Sequence, residues 1–213
     1  MIFVQIPEKE EPYCLKELRK VPDTKYIDLK DHCKDEVEGK LSHYQFHLCA
    51  YCQKSIKDVK TIEHYIPKSP KPSPELEWNN MFAVCTGRWY LDRDTKIDYC
   101  ANKRGSRPLK LNPKDKNHID SLYYEECMLH SSDADIDLEI NDLTILNLNF
   151  SEILTARLNA FIGIEKIYKK LALQRKLSQS ETLMRAIETV KKLNPEYSGF
   201  LLYRYERKLK NVN

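Results

Sequence analysis

The segment from Cys49 to Lys68, CAYCQKSIKDVKTIEHYIPK, carries the two patterns that decide the fold. Cys49 and Cys52 form a C-x-x-C knuckle, in which two thiolates can bind one tetrahedral metal ion from a single turn. Residues 61–66 alternate apolar and polar side chains until Pro67, which favours a short strand. We therefore predict a small metal-stabilised unit with two short strands between Cys49 and Ile66, followed by an extended basic loop at residues 67–74.

A tetrahedral site needs a second pair of ligands, and Cys85 and Cys100 are the candidates. The intervening residues 86–99 must then loop out and return. We predict that Cys49, Cys52, Cys85 and Cys100 bind a structural Zn²⁺ ion. A thioredoxin-like redox pair, buried free thiols and an iron–sulfur cluster are the alternatives.

The remaining cysteines, Cys14, Cys33 and Cys127, have no partner at ligand spacing and are interpreted as ordinary small apolar residues. The total of 7 cysteines is odd, and the apolar start at residues 1–6 is too short for a signal peptide. We therefore expect no disulfide framework and a cytoplasmic protein.

The composition excludes several classes of protein. The 213 residues contain no apolar run near the length of about 20 that crosses a bilayer. The chain has only 5 glycines and no glycine-rich phosphate loop, which argues against a nucleotide-binding fold. The net charge of +3 hides an acidic segment, residues 117–152, between basic segments. Basic segments suit a nucleic acid, and a solvated face without a partner is the alternative.

These patterns predict an α+β fold in three parts. They are an N-terminal helical segment (1–47), a zinc-bound core (48–112), and an acidic β-hairpin followed by a helical region (113–213). The alternating sequence DIDLEI at residues 135–140 predicts one strand of that hairpin, with the other across residues 131–134. Four further helices are predicted at residues 102–107, 150–173, 181–193 and 195–209.

His64 lies twelve residues after the knuckle and follows Glu63 directly. Hydrolysis of a phosphodiester needs an activated water, charge neutralisation at phosphorus and stabilisation of the leaving 3′ oxygen. A neutral His64 can accept the proton of the water, Glu63 can bind a hard cation, and Asn80 can supply an orienting amide. Alternatively, His64 and Glu63 are ordinary core or surface groups and Asn80 is a helix cap.

The motifs Cys49-x-x-Cys52, Ile62-Glu63-His64-x-x-Pro67-Lys68, Trp78-Asn79-Asn80 and Cys100-x-x-x-x-Gly105 resemble those of the HNH endonucleases. More narrowly, the chain is similar to the PtuB group, the HNH nucleases of Septu and retron anti-phage defence systems. The stretch LTILNLN at residues 143–149, with Leu154 and Arg157, is similar to a segment that follows the nuclease motif in that group. Together the matches cover about residues 45–160.

The resemblance implies a ββα-metal nuclease core. His64 would be the general base, Glu63 a ligand of catalytic Mg²⁺ or Mn²⁺, and Asn80 the residue that orients the catalytic loop. The usual family pattern has a further metal-binding His or Asn directly after the last cysteine, where this chain has Ala101. Asn102 is the nearest substitute, about 100° further around a helix.

Cations and aromatic rings near the core can hold phosphates and stack bases. The candidate nucleic-acid contacts are Lys68, Arg88, Trp89, Lys103 and Arg104, and packing on an ordinary surface is the alternative. His43 and His47 are assigned to packing or surface roles, with His47 as a reserve zinc ligand.

The resemblance also implies partners: an ABC-type ATPase of the PtuA kind and, in a retron, a reverse transcriptase with its RNA–DNA product. We therefore expect a defence endonuclease with DNA as the favoured substrate. An effector that cleaves RNA such as tRNA, or a zinc-stabilised adaptor without catalytic activity, is the alternative.

Overall fold

The structure is a computed structural model that describes residues 1–68 and 74–212. Its helices are α1 (Tyr13–Leu18), α2 (Asp31–Tyr44), α3 (Cys100–Arg104), α4 (Lys116–Asp120), α5 (Ala134–Asn141), α6 (Ser151–Arg175), α7 (Gln179–Leu193) and α8 (Ser198–Lys210). Its strands are β1 (Thr61–His64), β2 (Met81–Val84), β3 (Arg88–Tyr90), β4 (Lys96–Asp98), β5 (Leu122–Glu125) and β6 (Met128–Ser131). The predicted α+β class is confirmed. Most of the predicted basic loop, residues 69–73, lies outside the described residues.

The strands pair as three separate antiparallel hairpins, β1–β2, β3–β4 and β5–β6. In the first, Thr61 lies opposite Val84 and His64 opposite Met81. The strand at residues 61–64 was predicted correctly, but its partner was not expected in residues 81–84. The segment after the knuckle contributes only a single bridge between Leu48 and Ser55, because β2 is buried on both faces and fits the core better.

The N-terminal segment is joined to the core through the side chain of Gln45. Its Nε2 donates to the carbonyl of Ala83 at 2.6 Å, and its Oε1 accepts from the amide of Ala83 at 2.8 Å. The buried amide thus takes the place of a strand next to β2. One cluster of buried side chains continues from Val37 on α2 through Phe82 to Phe200 on α8, so the three predicted parts share one core.

The segment between Cys85 and Cys100 loops out and returns, as predicted. It forms the β3–β4 hairpin, with Arg88 opposite Asp98. The carboxylate of Asp92 accepts from the amides of Asp94 and Thr95 in the turn, which satisfies backbone groups that the short strands leave unpaired. The hairpin therefore delivers Cys100 back to the knuckle.

The prediction of strands at residues 131–140 was wrong, because residues 134–141 form helix α5. The alternating sequence also places Ile136 and Ile140 four residues apart, and both are fully buried on one helical face. Asp133 supplies the N-cap by accepting from the amides of Asp135 and Ile136. The hairpin of this region lies earlier, in β5 and β6.

The C-terminal helices were predicted to within a few residues. Helix α7 begins with a capping box, in which Ser178 and Glu181 accept from each other's backbone amides. Helix α8 begins at Ser198, three residues after the predicted Pro195, and its N-cap Tyr197 is left-handed with φ of 60°. The predicted short helix at 102–107 is α3, which begins two residues earlier and ends at Arg104, with Gly105 as its C-cap.

Cys14 and Cys33 form a disulfide that links α1 to α2, which corrects the expectation that no disulfide is present. The Cα atoms are 5.8 Å apart because the two helices pack against each other, a contact that the sequence does not reveal. Cys127 is a half-buried free thiol.

In the described part of the chain, no helix combines the length and the apolar character that a membrane crossing requires.

The capping role of Asp133 predicts that Asp133→Ala lowers the free energy of unfolding by about 1 kcal/mol. Asp133→Asn is the matched control, because it keeps the capping oxygen and loses only the exposed ion pair with Lys110. Urea denaturation of both variants measures the difference. Equal stability of the two variants would contradict the assignment of Asp133 as the N-cap.

Candidate metal centre and catalytic cleft

Three chain segments bring four cysteines to one point. The knuckle after α2 supplies Cys49 and Cys52, the end of β2 supplies Cys85, and the start of α3 supplies Cys100. All four are buried, and their sulfur atoms lie within 4.8 Å of one another. Cys49 Sγ is 3.5 Å from Cys100 Sγ, and Cys52 Sγ is 3.6 Å from Cys85 Sγ.

These separations suit a tetrahedral metal ion. With metal–sulfur bonds of about 2.3 Å, four sulfurs around zinc are spaced by about 3.8 Å. Hydrogen bonds from Cys100, Cys49 and Cys52 lower the pKa of Cys85, whereas burial raises the pKa values of Cys52 and Cys100. The sulfurs alone therefore resist full ionisation, and a divalent cation would supply the missing positive charge. The cluster can hold a metal such as zinc.

The backbone around the cysteines fixes their positions. The amide of Cys100 donates to the carbonyl of Leu146 at 2.7 Å, and the amide of Tyr99 donates to the carbonyl of Gly87 at 2.9 Å. Gly87 has φ of +64°, and a Cβ atom there would lie 2.4 Å from Cβ of Asn102. A glycine is therefore required where the chain leaves Cys85.

His64, at the end of β1, has only 6% of its surface exposed. Its Nε2 lies 2.8 Å from the carbonyl oxygen of Glu75. A carbonyl only accepts hydrogen bonds, so Nε2 carries the proton and Nδ1 of the neutral ring keeps its lone pair. Burial lowers the pKa of His64, which favours this neutral form. The ring is therefore prepared to accept a proton at Nδ1.

Asn80 ties together the two ends of the loop that follows β1. Its Oδ1 accepts from the amide of Ile66 at 2.7 Å, and its Nδ2 donates to the carbonyls of Ile66 and Pro74 at 3.1 Å each. The side chain is buried, so all three bonds are shielded from water. Asn79 instead points outward and donates to Glu8.

The prediction that Arg104 contacts nucleic acid was wrong, because its side chain has 0% exposure. The guanidinium forms an ion pair with Glu63 and donates to the carbonyls of His64 at 3.1 Å and Tyr65 at 2.5 Å. Burial raises the pKa of Glu63 to about 7, against the opposing attraction of Arg104. Arg104 therefore holds Glu63 and the end of β1 in place.

Glu63 and His64 border an open cleft of about 280 Å³, together with Lys68, Ala101 and Asn102. Asn102 is exposed, and its Nδ2 donates to Asp98 Oδ1 at 3.0 Å. The cleft thus combines the carboxylate, the imidazole and a lysine at the surface next to α3. A second cavity, of about 510 Å³ among α6, α7 and α8, is lined mainly by apolar side chains and has no histidine.

The other predicted residues lie around this cleft or away from it. Lys103 and Arg88 are exposed, and Arg88 Nε lies 4.0 Å from Asp98 Oδ1. Trp89 packs edge-on against Tyr99 and Phe150 at ring distances of 6.4 and 5.7 Å, with the ammonium of Lys54 over its ring. His47 binds Ser42 Oγ through Nδ1 and does not join the sulfur cluster, so its reserve role as a zinc ligand was wrong.

Sequence reasoning missed two residues that contact the histidine. Glu75 supplies the carbonyl for Nε2, and Tyr26 packs edge-on against the imidazole with ring centres 4.6 Å apart. Both contacts join distant chain segments, and neither residue stands in a recognisable motif. No family model and no curated protein matches this sequence.

Metal binding is tested by Cys49→Ser, with Cys127→Ser as the matched control outside the cluster. We expect the parent and Cys127→Ser to hold about one zinc ion per chain by elemental analysis, and Cys49→Ser to lose it and melt at a lower temperature. Full zinc retention by Cys49→Ser would overturn the four-cysteine site.

Proposed function

We propose that this chain is a metal-dependent endonuclease of the HNH type that hydrolyses nucleic-acid phosphodiesters. The observation that carries the proposal is the state of His64, a neutral imidazole whose Nε2 is fixed on the Glu75 carbonyl and whose ring borders an open cleft beside a carboxylate. The order of β1, β2 and α3 around a four-cysteine cluster is what a ββα-metal core requires, and it supports the resemblance.

In the proposed reaction, Nδ1 of His64 accepts a proton from a water molecule. The water oxygen then attacks phosphorus in line with the bond to the 3′ oxygen, and that bond breaks. The leaving 3′ oxygen takes up a proton from solvent, which gives a 5′-phosphate and a 3′-hydroxyl. The Glu75 carbonyl stabilises the imidazolium that forms, because it accepts the Nε2 proton throughout.

Glu63 and Asn102 would hold the catalytic Mg²⁺ or Mn²⁺. Oε1 of Glu63 is engaged by Arg104, which leaves Oε2 as a ligand, and Asn102 borders the same cleft. Oxygen donors of this kind are those that hard divalent cations prefer. When bound, the ion neutralises phosphate charge and stabilises the leaving oxygen.

The defence role and the partners rest on the resemblance. We infer that an ABC-type ATPase binds the helical region and, in a retron setting, that a reverse transcriptase and its RNA–DNA product join the complex. Exposed apolar side chains on α6 and α7 support a partner surface there, among them Leu173 with 83% and Leu193 with 67% exposure. DNA is the favoured substrate, and RNA offers the same phosphodiester to the cleft.

Two observations favour the adaptor alternative. Ala101 stands where the resemblance expects a metal ligand, and Glu63 is already paired with a buried arginine. Both features lower the affinity of the cleft for a second cation. In an adaptor, the cleft would bind nucleic acid without cutting it.

The His64→Ala variant distinguishes the two functions. We expect it to cut plasmid DNA, single-stranded DNA or RNA at least about 100-fold more slowly than the parent in Mg²⁺ or Mn²⁺, because the general base is lost. His43→Ala, an exposed histidine on α2, is the control and should match the parent. If the parent and His64→Ala cut equally, or if neither cuts even with the ATPase present, the catalytic function is wrong.

The role of Asn80 is tested against its neighbour. Asn80→Ala removes three buried hydrogen bonds from the loop ends, so we expect a loss of about tenfold or more in cleavage rate and faster hydrogen exchange at the Ile66 amide. Asn79→Ala loses one exposed bond to Glu8 and should match the parent in both measurements. Parent-like exchange in Asn80→Ala would contradict this role.

A further inference from the structure

A second groove, of about 690 Å³, lies beside the cleft that contains His64. One wall is the turn and first helical residues at 25–34, and the other includes Lys68 and Glu75. Lys68 borders both the groove and the cleft, so the two form a continuous surface. We call the groove alone, without the cleft, the lysine groove.

Positive side chains dominate the lysine groove. Lys25, Lys30, Lys34 and Lys68 line it, and the acidic residues on its lining are Asp31 and Glu75. Among residues 1–68 and 74–212, no carboxylate oxygen lies within 4.0 Å of the ammonium groups of Lys25, Lys30 or Lys68. Lys34 has one such contact, to Glu38 at 4.0 Å. Most of the positive charge is therefore not neutralised within the described chain.

Two carboxylates near the groove already accept hydrogen bonds from backbone amides. Glu75 Oε2 accepts from the amide of Tyr26 at 2.9 Å, and Asp28 Oδ2 accepts from the amide of Lys25 at 2.9 Å. Both carboxylates hold the backbone of the 25–28 turn. Lys25, Lys30 and Lys68 are exposed and Lys34 is half-buried, so the ammonium groups can meet a polyanion.

The lysine groove is joined to the candidate general base through Tyr26. The Tyr26 ring packs against the imidazole of His64, and the ammonium of Lys68 lies 4.3 Å from the centre of the same ring. A ligand that lies along the groove therefore reaches Lys68 and the cleft that His64 borders. The disulfide between Cys14 and Cys33 closes the chain on both sides of this turn.

We propose that the lysine groove binds the phosphate backbone of the nucleic-acid strand next to the phosphate that is cleaved. This inference rests on the proposed function and gives the N-terminal segment a substrate-binding role. A free phosphate is far smaller than the groove, whereas a strand can contact several lysines at once and continue into the cleft. Lysine side chains act as point charges on phosphates and carry no base specificity, so the groove positions the strand whatever its sequence.

The test measures binding separately from cleavage. In the His64→Ala background, Lys25, Lys30 and Lys34 are replaced together by alanine. Fluorescence anisotropy then follows the binding of a labelled 30-mer as single-stranded DNA, RNA of the same sequence, and duplex DNA, at several salt concentrations. We expect affinity at 0.1 M salt to fall at least about tenfold, and the slope of log affinity against log salt to decrease by about 2 to 3.

The matched control replaces three exposed lysines of α6 and α7, Lys166, Lys170 and Lys192, which removes the same net charge. It should leave the salt slope within about half a unit of the background. Lys68→Ala tests the opposite wall alone and should reduce the slope by about 1. Circular dichroism and thermal melting of each variant identify any failure to fold. If the triple groove variant does not fold, the salt slope of Lys68→Ala decides whether the groove binds the strand.

The outcomes separate this inference from the proposed function. If the groove variants keep the background slope, or if the control triple loses as much, the groove assignment is overturned even when the parent cuts. If the slope falls as expected in a parent that does not cut, the groove is supported and the catalytic proposal fails. If no probe binds the background protein, the groove assignment is overturned.

Discussion

The convergence of four buried sulfurs is the constraint on which the rest of the structure depends. Sulfurs 3.5 and 3.6 Å apart in an apolar interior cannot all be ionised without a cation, and protonated thiols give little reason to converge so closely. A divalent ion such as zinc would resolve this conflict and at the same time fix the knuckle, the end of β2 and the start of α3. Once these points are fixed, β2 aligns β1 and so places His64, while α3 directs Arg104 towards Glu63.

Arg104 transmits this geometry to the cleft. The carbonyls of His64 and Tyr65 both accept from its guanidinium, so the backbone on which the imidazole stands is held by an element anchored in the sulfur cluster. The same cation partly neutralises Glu63, which otherwise would carry an uncompensated charge in a buried position. Any cation bound at Glu63 would have to share the carboxylate with Arg104. The sulfur cluster and the groups that border the cleft are thus coupled through one side chain.

Local patterns gave correct predictions where the chemistry is local. The knuckle, the strand at residues 61–64 and the long helices all follow from residues close in sequence, and the 25-residue helix α6 follows its apolar periodicity. The prediction for residues 135–140 was wrong because their apolar positions fit both the two-residue period of a strand and the four-residue spacing of a helix. The capping oxygen of Asp133 favours the helix. Arg104 was misjudged because burial of a charge depends on partners that come from another segment. The Cys14–Cys33 disulfide and the lysine groove also depend on contacts between segments, which no spacing in the sequence encodes.

The molecule replaces an extended sheet with cross-links between short elements. A two-stranded hairpin is at best marginally stable by itself, and all three sheets in the described residues have only two strands. The sulfur cluster and Arg104 connect the first two hairpins to α3. Arg157 acts similarly at the third, since it donates to the carbonyls of Cys127 and Leu148 at 2.8 and 2.9 Å from inside the core. Each guanidinium satisfies buried carbonyls that lie in or next to short elements, so these elements are held together without a larger sheet.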